Sequence, residues 1–206
     1  MQTNKSAGVK AMPVKTYRAY RSADKFNASE NYIVEGYAST FDPYVLFSDG
    51  DIDYSERIDA HAFDEADMSD VIMQYDHEGR VYARQSNGTL KVFADDHGLK
   101  IRADLSKTEG SRRLYDDIKA GMITQMSFAF TVEDDQYEKE TRTRVVDRVK
   151  RVYDVSAVSI PANPGTEISA RNYFDGVIEA ERAERLAAEE YVRKCKILRL
   201  MLEVNA

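Results

Sequence analysis

The sequence reads MITQMSFAFTV at residues 122–132, and this stretch decides the fold. Met126, Phe128 and Phe130 recur at every second position, with smaller or polar residues between them. Alternate side chains of a strand lie on one face, and aromatic residues favour strands. The stretch therefore predicts a β-strand with one apolar face, and it places Ser127 on the opposite face.

Further strands are predicted on both sides of this stretch. Short apolar or alternating runs, bounded by turn residues, lie at residues 32–41, 71–75, 88–94, 99–105 and 152–160. Runs of this length and composition are typical of strands. Residues 133–150 are charged and indicate a hairpin or loop, whereas residues 44–60 are polar and rich in turn residues.

Three segments change to a helical period. In residues 111–120, Leu114 and Ile118 lie four positions apart, and Gly121 follows as it commonly does after a helix. A short helix is predicted at residues 62–68. A long helix is predicted at residues 175–203, where an apolar stripe recurs three and four positions apart. The stripe consists of Ala183, Ala187, Tyr191, Cys195, Leu198 and Leu202.

Together these elements predict an α+β fold that is mainly β. We expect an antiparallel, barrel-like core with surrounding helices at residues 28–172. Residues 1–27 are basic and rich in small polar residues, which indicates a flexible arm. Residues 173–206 form a helical segment that docks on a partner, is removed by self-cleavage, or packs on the β body.

Composition narrows the functional class. The 206 residues suffice for one core, and the single cysteine, Cys195, excludes an intramolecular disulfide and fits a reducing compartment. No apolar run approaches the ~20 residues of a membrane helix, and the first residues lack the apolar region of a secretory signal. The formal net charge of −7 argues against nucleic acid as the main partner.

Four residues are candidates for catalysis. His77 follows the apolar run at 71–75, so a strand would deliver it to the rim of a sheet. His61 reads as a surface or capping residue, and His97 reads as a turn residue. Ser127 is either a nucleophile, which needs a histidine base nearby, or a small structural serine within a strand. Because neither a nucleophile elbow nor a zinc motif is present, we expect no cofactor and no metal.

Five segments of the chain form a recognisable combination. They read IDAHAF at 58–63, YDH at 75–77, GL at 98–99, IKAGMITQMSFAF at 118–130 and YDVSAVSIPANP at 153–164. Between residues 56 and 163, over half of its length, the chain resembles the prohead (capsid maturation) serine protease family of tailed phages. The fold of that family is similar to that of herpesvirus assemblins. The last two segments are specific in combination, whereas either alone is a weak signal.

The resemblance implies a catalytic triad. It assigns His77 as general base, Ser127 as nucleophile and Asp154 as the carboxylate that orients the base. The sequence departs from the family at two positions. Many members have glutamate where Asp154 stands and glycine where Ala129 stands.

The same resemblance implies a serine endopeptidase that acts inside the procapsid in the host cytoplasm. Its expected partners are the major capsid protein or its scaffolding segment as substrate, and the chain itself, as a self-cleavage substrate or in a homodimer. Neither nucleic acid nor a membrane is an expected partner. The alternative is a non-enzymatic capsid assembly or scaffolding module with the same fold, in which Ser127 is structural.

Overall fold

The computed structural model describes residues 16–19, 27–29, 31–159 and 164–204. The chain divides into two units, Met1–Thr166 and Glu167–Ala206. The first unit contains the β-sheets and helix α1, Glu109–Lys119. Helix α2, Pro164–Val204, runs through the second unit. Within the described ranges, neither helix combines the length and the apolar character needed to cross a membrane.

Eleven strands lie in the described residues, and they are numbered in chain order. They are β1 (Thr16–Ala19), β2 (Asn27–Ser29), β3 (Ile33–Thr40), β4 (Tyr44–Asp49), β5 (Ile52–Ile58), β6 (Ile72–Tyr75), β7 (Glu78–Arg84), β8 (Leu90–Ala94), β9 (Gly98–Asp104), β10 (Gln125–Glu138) and β11 (Thr143–Val158).

The strands form two sheets. The larger sheet has the order β1-β10-β11-β5-β4, and the β6–β7 hairpin joins it through pairing of β6 with β11. Strands β5 and β6 run parallel to the first and second halves of β11, whereas the other pairings are antiparallel. The smaller sheet has the antiparallel order β2-β3-β9-β8. The predicted mainly β, α+β class is confirmed. The core departs from the expected antiparallel barrel, because the two sheets are open and β5 and β6 pair parallel with β11.

One hydrophobic core joins both sheets and α1. The predicted apolar face of β10 lies in it, because Met126, Phe128 and Phe130 are fully buried. The rings of Phe128 and Phe130 stack at 4.4 Å between centroids. Burial of each such side chain contributes about 1.5–3 kcal/mol. Leu114 and Ile118 of α1 are buried in the same core, as their spacing predicts.

One local prediction is wrong, and one hairpin was not predicted. Residues 62–65 form turns and Asp67 forms a β-bridge with Arg151, so no helix is present at residues 62–68. The Ala62 carbonyl accepts a hydrogen bond from Val149 N–H, and the Asp67 N–H donates to the Lys150 carbonyl. These backbone groups pair with β11 and therefore cannot complete a helix. The hairpin that was not predicted is β4–β5, within residues 44–60. Its sequence is polar, although buried and partly exposed side chains alternate along β5.

The predicted arm at residues 1–27 lies mostly outside the described residues. Within it, Thr16–Ala19 forms β1 and pairs antiparallel with β10, from Thr131 to Phe128. Asn27 begins β2, which pairs with β3.

Candidate active site

Two serines lie opposite each other in the larger sheet. Ser127 of β10 is the register partner of Ser156 of β11. Directly opposed residues of an antiparallel pair share one face of the sheet, and Asp154 shares this face because it lies two positions before Ser156. The intervening Val155 is in the hydrophobic core on the other face. The sheet therefore presents two hydroxyls and a carboxylate together, away from the core.

Asp154 connects this face to His77. The His77 Nδ1–H donates a hydrogen bond to Asp154 Oδ1 at 2.6 Å. Ser156 Oγ donates to the same oxygen at 2.7 Å. The two hydrogen bonds fix the carboxylate and select the Nδ1–H tautomer of His77. They also direct the second ring nitrogen, Nε2, away from Asp154.

The pairing of β6 with β11 delivers His77 to this position. Tyr75, the last residue of β6, is the parallel partner of Ala157 in β11. Asp76 and His77 then form the two-residue turn of the β6–β7 hairpin, with φ values of +49° and +59°. Positive φ at both central residues is characteristic of a type I′ turn. A histidine in this left-handed region is costly, and such strain is commonly found at functional sites.

Asp76 fastens this turn to the end of β11. Its Oδ1 accepts the Ser159 N–H and its Oδ2 accepts the Ser159 hydroxyl, both at 2.9 Å. The Asp76 N–H donates to the Ala157 carbonyl at 2.9 Å. The residue next to His77 is therefore held at both its backbone and its side chain.

An ion pair holds together the other end of the β6–β7 hairpin. Arg84, the last residue of β7, donates to the Asp70 carboxylate through Nε–H, which is shared between both oxygens, and through Nη2, at 2.7–3.0 Å. These bonds, together with those from Ser86, lower the pKa of Asp70 to about 2. Asp70 is therefore ionised throughout the neutral range, and the pair stays intact.

Burial strengthens the electrostatic contacts of the site. Ser127 and Ser156 are fully buried, and the side chain of Asp154 is 9 % exposed while that of His77 is 0 % exposed. Hydrogen bonds are stronger in such a low-dielectric environment than in water. The site therefore contains the three groups that nucleophilic catalysis needs. They are a serine that can act as nucleophile, a buried imidazole that can act as base, and a carboxylate that orients the imidazole.

The structure thus brings His77 and Asp154 into direct contact and places Ser127 opposite Ser156, the second hydrogen-bond donor to Asp154. Sequence reasoning missed Ser156 and the Asp76–Ser159 contact. The signal for Ser156 was available, because it lies two positions from Asp154 and an alternating strand puts both on one face. Ala129 is the register partner of Asp154 within the same regular part of β10.

The other two histidines lie elsewhere. His61 is exposed and contacts Asp64 at 3.1 Å, while His97 packs edge-on against Tyr37 in the β8–β9 turn region. Within the described ranges, no three His, Cys, Asp or Glu side chains are grouped closely enough to hold a metal ion.

Comparison with known proteins gives one match. A family model described as caudovirus prohead serine protease matches residues 18–177, well over half of the chain. The matched region includes all three residues of the predicted triad. No curated protein and no solved structure matches the chain.

Proposed function

The chain belongs to the caudovirus prohead serine protease family, and on that premise we propose that it is the endopeptidase that cleaves capsid protein during procapsid maturation. The proposed substrates are the scaffolding segment of the major capsid protein and the chain itself. The proposed place of action is the interior of the procapsid, in the host cytoplasm.

The observation that carries this proposal is the 2.6 Å hydrogen bond between His77 Nδ1 and Asp154 Oδ1. A carboxylate that fixes the tautomer of a buried histidine is the supporting half of a serine protease triad. Ser127 supplies the remaining half in this proposal, since its strand runs beside the strand of Asp154 with Ser127 opposite Ser156.

In the proposed mechanism, His77 Nε2 takes the proton of the Ser127 hydroxyl as Ser127 Oγ attacks the scissile carbonyl. His77 then gives this proton to the leaving amine, and the acyl group remains on Ser127 until water hydrolyses it. Asp154 keeps its charge throughout, because its role is to orient the imidazole and to stabilise the imidazolium. Ser156 holds Asp154 in place for this role.

Burial of the site has a consequence for regulation. Ser127 has no exposed surface, so a substrate carbonyl can reach its hydroxyl only after neighbouring groups move. A maturation protease that was active before assembly would cleave the capsid protein before the procapsid had formed. We therefore expect the isolated chain to be weakly active and the procapsid to promote the open form, aided by the high effective concentration of co-packaged substrate.

The C-terminal helix is the proposed docking element. In α2, Tyr191 is 69 % exposed and Val192 is 51 % exposed, and Cys195 of the predicted stripe is also exposed. The side chains of Leu198 and Leu202 lie outside the described residues. Exposed apolar side chains on a long helix are suited to binding a partner helix, such as a second copy or a scaffold segment. We propose three parts for the chain: the basic arm at residues 1–27, the protease domain at residues 28–172 and the helical segment at residues 173–206.

Co-expression with a candidate capsid protein from the same genome tests the function. We expect Ser127→Ala and His77→Ala each to slow processing by orders of magnitude and the double variant to be little worse, because a triad acts as a unit. Asp154→Asn should retain more activity. Arg148→Gln, an exposed change in the β10–β11 hairpin, is the control. Mass spectrometry of the capsid protein reports the cut and its position.

One observation favours the alternative, a scaffolding module without activity, and that is the complete burial of Ser127. The same experiment separates the two functions. A scaffold would assemble normally with Ser127→Ala, and the wild-type chain would leave the capsid protein uncut.

A further inference from the structure

A cleft opens beside the turn that carries His77. It has a volume of about 570 Å³ and lies between the β6–β7 hairpin, helix α1 and the residues that lead into β10. Tyr75 and Ile123 line it. Tyr75 lies two residues before His77 and Ile123 lies four residues before Ser127, so chain length alone places the cleft within ~7 Å and ~14 Å of these residues.

Those distances match a short stretch of substrate. An extended peptide advances about 3.3 Å per residue. A side chain within about four residues of a bond cut at Ser127 can therefore reach the cleft. The cleft has an apolar part, formed by Tyr82, Leu114 and Ile123 among others, and a charged part.

The charged part of the cleft is cationic. Arg80 of β7 and Arg113 of α1 line it, against one carboxylate, Asp117. Arg113 also pairs with Glu109 at 2.6 Å along the helix. Within the described ranges no carboxylate forms an ion pair with Arg80, so its guanidinium is the group best placed to meet an anion from outside.

Gly110 makes room for this guanidinium. A Cβ added at Gly110 would lie 2.2 Å from Arg80 Nη1, so any larger residue at position 110 would displace the Arg80 side chain. A hydrogen bond joins α1 to β7, the two elements that carry Gly110 and Arg80. Ser111 Oγ donates it to the Tyr82 carbonyl at 2.7 Å. Arg80 therefore lies against a fixed wall.

We propose that this cleft is a specificity subsite that accepts an aspartate or glutamate of the substrate, within four residues of the cut, through Arg80. The inference rests on the proposed function and deepens it by naming the side chain that the protease selects. A carboxylate fits the planar guanidinium through two parallel hydrogen bonds.

The test uses the full chain co-expressed with its capsid substrate, with the cut mapped by mass spectrometry. We expect an aspartate or glutamate within four residues of the cut. Its replacement by asparagine or glutamine should slow cleavage roughly 5- to 20-fold, as for loss of a partly exposed hydrogen bond between charged groups. Arg80→Glu should slow the native substrate similarly and should be rescued by a lysine at the acidic position. Arg148→Glu is the matched control.

Gly110→Ala provides a second variant that leaves the charge unchanged. Alanine is a better helix former than glycine, and the added Cβ meets only the flexible Arg80 side chain. Folding is therefore retained while Arg80 is displaced and the acidic preference falls. A Ser127-dependent cut without a nearby acidic residue, or one insensitive to Arg80→Glu and Gly110→Ala, overturns the subsite and leaves the protease intact. Absence of any Ser127-dependent cut contradicts the proposed function, and the subsite with it.

Discussion

Ser156→Ala separates a supporting serine from the nucleophile. Ser156 Oγ donates to Asp154 Oδ1 at 2.7 Å, and alanine removes only this hydroxyl from a fully buried position. A hydrogen bond to a charged group contributes about 1.5–3 kcal/mol, which corresponds to a loss of about 10- to 150-fold in kcat. Ser127→Ala removes the proposed nucleophile, and its loss is therefore expected to be on the order of 10⁴- to 10⁶-fold.

The assay follows cleavage of the mapped capsid sequence by procapsids that carry each variant. Active enzyme is compared at equal incorporation, so that kcat and KM are separated. Because Ser156 acts through Asp154, we expect kcat to fall and KM to change little. Ser39→Ala is the control, since Ser39 is also fully buried but lies in β3 of the smaller sheet. Thermal unfolding of each variant checks that the fold is retained.

The ranking of the two serine variants decides the assignment. Equal loss of activity in Ser156→Ala and Ser127→Ala would contradict the assignment, because we expect the loss of kcat to be far smaller for Ser156→Ala. Retained activity in Ser127→Ala with a dead Ser156→Ala would exchange the roles of the two residues.

Three further outcomes are expected. Asp76→Ala removes both hydrogen bonds to Ser159 and disfavours the positive φ at position 76. We therefore expect kcat to fall about 3- to 10-fold and Asp76→Asn to restore it. An unchanged kcat in Asp76→Ala would show that Asp76 does not position His77. Because the folded pKa of Asp70 is about 2, below its ordinary value of 3.8, its contact with Arg84 stabilises the fold above about pH 4 and is lost as the pH falls through about 2. Asp70→Asn should therefore lower Tm at pH 7 and leave it unchanged below pH 2, and a Tm deficit that persists in acid would contradict this. Polar substitution of the exposed apolar residues of α2 should reduce incorporation into procapsids without affecting peptide cleavage, and unfolding of the variant instead would assign the helix to the core. These residues are Tyr191, Val192 and Ile197.

The sequence could predict those elements whose pattern is local. Strand β10 carries its own alternation, and α1 carries its own apolar spacing and the following Gly121. The β4–β5 hairpin could not be predicted in this way, because Glu56 occupies a fully buried position that reads as exposed. Its charge is satisfied by Arg144, 88 positions away, at 2.9 Å. Local periodicity contains no information about such a distant partner.

In the site, too, some residues were predictable from the sequence and others were not. The resemblance assigned His77 and Asp154, and the hydrogen bond between them fits that assignment. The contribution of Asp76 was not predictable from the chain, since it depends on the parallel pairing that brings the end of β6 beside the end of β11. Parallel pairing joins residues 82 positions apart, such as Ala157 and Tyr75, and leaves no local pattern at either residue.

The most direct test of the central claim is to identify which serine reacts. Procapsids that carry the full chain are treated with a fluorophosphonate, which forms a covalent bond to an activated serine, and the chain is digested with trypsin. Ser127 lies in the peptide of residues 120–139 and Ser156 lies in the peptide of residues 152–171, so mass spectrometry separates them. We predict label on Ser127 in the wild-type chain and none in His77→Ala. Label on the 152–171 peptide, or equal labelling of Ser127 without His77, would contradict it.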